Sequence, residues 1–125
     1  VVELEKKPEI TDAEFEIMKV LWAKEQPLSV QDICDELLHK NWKYSTVATL
    51  LGRMKKKGIV EGVKSGYAYY YTPLTDEKEY KKSQTRKLIS KLYDGSAKKL
   101  IASLYSDNEM SAEDIAELKN YFDLN

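Results

Sequence analysis

Apolar positions in this chain fall at helical spacing over most of its length and change, once, to a strand-like run in the middle. The clearest helical stretch is 44–58, YSTVATLLGRMKKKG. Val47, Leu50, Leu51 and Met54 recur there at i, i+3, i+4 and i+7 and share one stripe. Ser45, Thr49, Arg53 and Lys56, with Thr46 beside them, fall on another side. Ser45 is the expected N-cap, and Gly58, after Lys55-Lys56-Lys57, the expected stop, with cations at the negative end of the helix dipole. Upstream, Thr11-Asp12-Ala13-Glu14 reads as a capping box that opens a helix running to about Lys24. Its buried stripe is expected to be Phe15, Met18 and Trp22, with Leu21. Gln26-Pro27-Leu28 breaks that helix, and Ser29 to Asp32 is a second box. A short helix follows with Val30, Ile33, Cys34, Leu37 and Leu38 on its apolar side, and 40–43 is a brief connection.

After Gly58 the period changes. Ile59 to Val63 leans to strand, Lys64-Ser65-Gly66-Tyr67 signals a turn, and Tyr67 to Thr72 is an aromatic strand ended by Pro73. Two helices joined by a short turn, the second followed at once by a hairpin, are the grammar of a winged helix-turn-helix. From Thr75 the pattern is helical again. A long helix is polar nearly all round at first and then gains Leu88, Ile89, Leu92 and Tyr93, and Asp94-Gly95-Ser96 ends it. The next helix carries Ala97, Leu100, Ile101, Leu104 and Tyr105. A third capping box, Ser111 to Asp114, opens a last helix with Ile115, Leu118 and Phe122 on one side. Three helices in about 50 residues bury little by themselves. A helix that turns apolar only in its second half suits an arm reaching a partner, most simply the same segment of a second copy. The alternative is that the arm folds back on the winged helix. The expected architecture is mostly α with a small β-hairpin wing. It divides into a flexible lead-in over 1–9, a winged helix over 10–73 and a helical dimerisation segment over 74–125.

Charge sharpens this picture. The 125 residues sum to −1, but unevenly: residues 1–39 carry −6, 40–73 carry +6, and 74–125 carry −1. The positive excess sits with the helix at 44–58. Local field rather than total charge steers a protein to DNA. Short hydroxyls followed by a guanidinium form a face that a major groove accepts, since hydroxyls meet base edges or phosphates and Arg reads guanine bidentately. Ser45, Thr46, Thr49 and Arg53 are therefore the candidate reading residues. Lys64, Ser65 and Tyr67 at the wing tip are candidates for phosphate or minor-groove contact. Most of the tyrosines are expected to pack.

The remaining chemistry is sparse. One cysteine, Cys34, and one histidine, His39, exclude an internal disulfide and a zinc site of the usual kind. No metal or other cofactor is expected, and a lone small thiol on a helix suits a buried position in a reducing cytosol. There is no phosphate loop, no G-x-S-x-G and no H-E-x-x-H, so the chain is read as a non-enzyme. No run of about 18 apolar residues spans a membrane. VVELEKKPEIT lacks the apolar stretch of a secretion signal, which points to a cytoplasmic protein. A winged helix that binds a protein instead of specific DNA is the alternative function.

ITDAEFEIMKVLW (10–22), WKYSTVATLLGRMKKKG (42–58) and the Tyr-rich wing together resemble the penicillinase-repressor family (BlaI/MecI/CopY), from about Ile10 to the end of the chain. The resemblance implies a bacterial homodimeric repressor of β-lactam-resistance or copper-transport type. Its winged helices bind an inverted repeat of TACA/TGTA-like half-sites and its C-terminal helices make the dimer. It implies that Ser45, Thr46, Thr49 and Arg53 face DNA, with Lys43 and the wing at the backbone. It also implies a dimer interface drawn from Leu88, Ile89, Leu92, Leu100, Ile101, Leu104, Ile115, Leu118 and Phe122. Ala48 stands where relatives often carry a basic residue. In β-lactam-responsive relatives an inducing protease cuts an Asn-Phe bond, and the aligned pair here is Ser103-Leu104. Copper-responsive relatives end in paired Cys-x-Cys motifs that this sequence does not contain.

Overall fold

A computed structural model describes residues 8–123. Residues 1–7 of the expected lead-in lie outside them. The elements run α1 (Asp12–Lys24), α2 (Val30–Glu36), a 3-10 turn (Leu38–Lys40), α3 (Tyr44–Lys57), β1 (Val60–Ser65), β2 (Ala68–Pro73), α4 (Glu77–Tyr93), α5 (Ala97–Ser106) and α6 (Ala112–Asp123). The chain forms two compact units, one ending at Glu77 and the other starting at Lys78. The first is a winged helix-turn-helix.

Both N-terminal capping boxes form. The Thr11 and Ser29 hydroxyls accept from the backbone of Glu14 and Asp32, whose carboxylates accept from Thr11 N–H and Ser29 N–H in return. The stripe of α1 differs from the expected one. Ile17, Met18 and Leu21 are buried, whereas Phe15 and Trp22 are half-buried and meet edge to face, with ring centroids 6.0 Å apart. Leu38 is also displaced from its expected place on the α2 stripe. α2 stops at Glu36, and the backbone of Leu37 leaves helical geometry. The 3-10 turn that follows rotates Leu38 out to 72% exposure. The α3 stripe is as expected: Val47, Leu50, Leu51 and Met54 are all buried. These side chains close a core with Ile33, Leu37, Ile59 and Val60.

The hairpin is antiparallel, with Val60 opposite Pro73 and Ser65 opposite Ala68. Its loop is the two residues Gly66-Tyr67, so Tyr67 caps the tip and does not begin the second strand. Gly66 has φ +65° and Tyr67 does not share the positive value, which suits a Gly-X turn matched to strand twist. Gly62 lies opposite Tyr71, and a Cβ there would stand 2.9 Å from the Tyr71 ring, so the missing side chain makes room for it. Leu28, expected only to interrupt helices, adds a further short edge to the sheet. Its N–H donates to Tyr71 O at 3.1 Å and its carbonyl accepts from Tyr71 N–H at 2.8 Å.

In the second unit α4 ends through Asp94 and Gly95, both at positive φ, and Gly95 N–H donates to Ile89 O. The Ser96 hydroxyl caps α5 by accepting from Lys99 N–H. Ser111 and Asp114 cap α6 reciprocally at 3.0 Å each way. No side chain among residues 78–122 is buried.

Candidate nucleic-acid interface

The face of α3 opposite its stripe is exposed along its whole length. Ser45, Thr46, Thr49, Gly52, Arg53, Lys55 and Lys56 are all open to solvent. The helix begins two residues earlier than a Ser45 cap would have it. Lys43 occupies the N-cap position with extended backbone and no side-chain cap, so Ser45 sits inside the first turn and its hydroxyl is not spent on capping. Gly58 at φ +80° terminates the helix, and Ile59 N–H returns to Met54 O at 3.0 Å.

The cations of residues 40–73 divide by task. Lys57 turns inward: its Nζ donates to Glu14 Oε1 at 2.6 Å and to the Glu9 carbonyl at 3.1 Å. Glu14 is 1% exposed. Burial pushes its carboxyl up, but the Lys57 ammonium and the Thr11 N–H outweigh that and hold it below the ordinary carboxylate value. Lys40 lies 3.6 Å from Glu16. Lys43, Arg53, Lys56 and Lys64 form no ion pair among the described residues and stay exposed. Lys55 bridges helix and wing, its Nζ 5.1 Å from the Tyr69 ring centroid. Tyr69 in turn faces Lys64 across the hairpin. The unpaired positive charge of residues 40–73 thus sits at the N-cap and on the exposed face of α3 and on the wing, with Lys55 linking helix to wing. Lys64, Ser65 and Tyr67 are exposed at the wing tip, while Tyr70 and Tyr71 are half-buried. Burial raises the Tyr71 hydroxyl pKa, with smaller contributions from Tyr69 and Tyr44.

Gly52 is not among the reading residues expected from the sequence. It lies in helical register with Ser45, Thr49 and Lys56, and apart from its chain neighbours and its own helix backbone none of the described residues comes within 4 Å of where its Cβ would be. A mid-helix glycine costs roughly 1 kcal/mol relative to Ala, and no packing requires it here. The available signal was a poor helix former inside a strongly periodic helix.

Cys34 is half-buried against the core, and burial followed by the Asp35 charge raises its thiol pKa, which suits a packing residue. Among the described residues no group of His, Cys, Asp or Glu could hold a metal ion, and no helix is long and apolar enough to cross a membrane.

Residues 10–123 match the family model described as penicillinase repressor. The chain belongs to the penicillinase repressor family. The penicillinase repressor of Bacillus licheniformis is 32% identical over 116 residues, covering 92% of this chain and 90% of that one. The methicillin resistance regulatory protein MecI of Staphylococcus aureus (strain N315) is 31% identical over 113 residues, covering 90% and 91%. Two solution structures match the winged unit of this penicillinase-repressor chain. The DNA binding domain of the repressor BlaI has a TM-score of 0.52 at 39% identity, covering 60% of this chain and 92% of that one. The monomeric form of Bacillus licheniformis BlaI in complex with the blaP half-operator has a TM-score of 0.51 at 38% identity, with the same coverage. The family is one of transcriptional repressors, not of enzymes.

In the helical unit of this family member, Leu88, Leu92, Ile101 and Phe122 of the expected dimer set are exposed, and Ile89, Leu100, Leu104, Ile115 and Leu118 are half-buried. The Ser103-Leu104 bond lies inside α5 with both side chains half-buried, and the Tyr93 hydroxyl stands 3.4 Å from Ser103 Oγ. Exposed loop tips are where proteases usually cut, whereas this bond lies within a helix.

Proposed function

We propose that the chain is a homodimeric, sequence-specific repressor that occludes a promoter by binding an inverted repeat of TACA/TGTA-like half-sites. Ser45, Thr46, Thr49 and Arg53 read base edges in the major groove. Lys43, Lys64, Ser65 and Tyr67 hold the phosphate backbone. The helices after the wing join two copies through Leu88, Ile89, Leu92, Leu100, Ile101, Leu104, Ile115, Leu118 and Phe122. A second half-site then adds avidity without new contacts.

The observation that supports this reading best is the division of α3. One side is wholly buried, and the other offers hydroxyls and a guanidinium that no side chain among the described residues engages. The half-operator bound by the BlaI relative agrees with it. Induction by cleavage at Ser103-Leu104 requires α5 to open first.

The test is binding of the purified protein to DNA from upstream of its own gene and to scrambled DNA, at two salt concentrations. Wild type is expected to prefer the upstream DNA. Arg53→Ala is expected to lose about 1–3 kcal/mol of specific affinity and little non-specific affinity. Equal, salt-labile binding to both DNAs by wild type would favour a protein-binding winged helix instead.

A further inference from the structure

We infer that the homodimer forms with α4 of one copy against α6 of the other, and that rows of opposite charge on the two helices select this arrangement. This rests on the self-association proposed above. The charge of the helical unit is divided along the chain. Residues 78–99 hold eight Lys or Arg and two acids, net +6, and residues 100–125 hold one Lys and six acids, net −5. The cations lie on α4 and at the start of α5, and the acids on α6 and just before it. Each helix sets like charges in a row. Lys87 and Lys91 stand at i and i+4 on α4, and Glu113 and Glu117 at i and i+4 on α6. Like charges at that spacing repel and destabilise their own helix. All four are exposed, and none forms an ion pair among the described residues. A row of opposite sign laid alongside turns both repulsions into attraction.

Each row borders apolar surface that the described chain leaves open. On α4, Ile89 and Tyr93 are half-buried, and the Tyr93 hydroxyl donates to Ser103 Oγ of α5. Leu88 and Leu92 lie about 100° round the helix from that side, and both are exposed. Lys91, at i+3 from Leu88, borders this exposed stripe, with Lys87 one turn before it. On α6, Tyr121 follows Glu117 at i+4, and Tyr121 and Phe122 are both exposed. A second copy supplies both complements at once, because in a twofold dimer α4 meets the partner's α6 twice over. DNA suits the cations of α4, but it leaves Leu88 and Leu92 uncovered and has no use for the acids of α6. Charges beside an apolar seam set partner and orientation, as the flanking positions of a coiled coil do.

The experiment uses three variants of the full chain. One carries Lys87→Glu with Lys91→Glu, the second Glu113→Lys with Glu117→Lys, and the third all four changes. Dimer dissociation is measured by sedimentation for each alone and for the first two mixed in equal amounts. Either of the first two alone sets like charges against like, and its dimer is expected to weaken about 10-fold or more. The mixture is expected to recover dimers as tight as wild type, now with one copy of each variant, since every α4 then meets an α6 of opposite sign. The chain with all four changes is expected to recover by itself. Recovery in that chain but not in the mixture would overturn the inference, because the rows would then pair within one copy. Recovery in neither would overturn it as well. Dimers unchanged in every variant would overturn it and leave the homodimer standing. Weaker operator binding by the α4 variant with an unchanged dimer would overturn it too, by assigning that row to the DNA backbone. A wild type that stays monomeric at every concentration would defeat the homodimer itself, and the inference with it.

Discussion

The two units use similar apolar residues and treat them in opposite ways. In the winged unit Ile17, Met18, Leu21, Ile33, Val47, Leu51 and Met54 are removed from solvent entirely. In the helical unit Leu92 is 62% exposed and Phe122 68% exposed, and nothing among residues 78–122 is buried. The winged unit gains its interior by bringing α1, α2, α3 and the hairpin together over long sequence separations. In α3 a wholly buried stripe stands opposite a face that is exposed along its length. A rigid buried side is what allows the other side to present groups without conformational search. The helical unit has caps, a turn glycine and helical periodicity, but none of its described side chains over 78–122 is buried, so its apolar surface calls for a partner. The proposed function assigns that place to a second copy.

The contrast can be broken at either end. The largest effect is expected from Leu92→Asp combined with Ile101→Asp. The mass in solution should fall from dimer to monomer, and paired-operator affinity should drop about 100-fold or more while half-site affinity holds. Sedimentation and titration on both DNAs check this, and a variant that stays dimeric would put the interface elsewhere. Next is Leu51→Ala, which opens a cavity at a fully buried site and should cost about 2–5 kcal/mol in urea unfolding of the winged unit.

A smaller effect is expected from Glu14→Gln, which keeps an acceptor for the cap and loses the charge facing Lys57. It should cost about 1–3 kcal/mol near neutral pH. The folded pKa of Glu14 lies below its ordinary value of 4.5, so its stabilisation is present above that value. It is lost as pH falls through the lowered folded value. The gap between wild type and variant should accordingly close in acid, which unfolding curves at neutral and acidic pH would reveal. The smallest effect, and the one of mixed sign, belongs to Gly52→Ala. It should raise stability by about 0.5–1 kcal/mol and weaken DNA binding if the bare backbone lies against the groove. A gain in stability with unchanged binding would remove Gly52 from the interface.

Local chemistry carried most of the fold into the sequence. The capping boxes at Thr11, Ser29 and Ser111, the α3 stripe, Gly58 and the Gly66 turn are all set by residues within a few positions of one another. What stayed hidden depends on partners far along the chain. Glu14 reads as a cap residue, and its second role against Lys57, 43 positions away, has no local signature. The same pairing takes Lys57 out of the basic surface, so counting charges along 40–73 overstates what faces solvent. Trp22 resembles a core residue by spacing, and only the return of the chain at Thr75 gives its indole N–H a partner. Leu28 joins the sheet through a single bridge, too short to leave an alternating pattern. For the site, the exposed side of α3 was legible because its buried side was. Gly52 was not, because the sequence signal is only the absence of a side chain.

The two-residue tip of the hairpin makes the wing a ruler with coarse graduations. Ser65 and Ala68 are the last pair before the loop, so wing length is set by strand length alone. Adding one residue to each strand would turn Lys64 and Tyr69 to the opposite face of the sheet, because side chains alternate along a strand. Adding two would restore their face and carry the tip about 7 Å farther out. A wing built this way can change its reach only in steps of that size while keeping the same residues on the same face of the sheet.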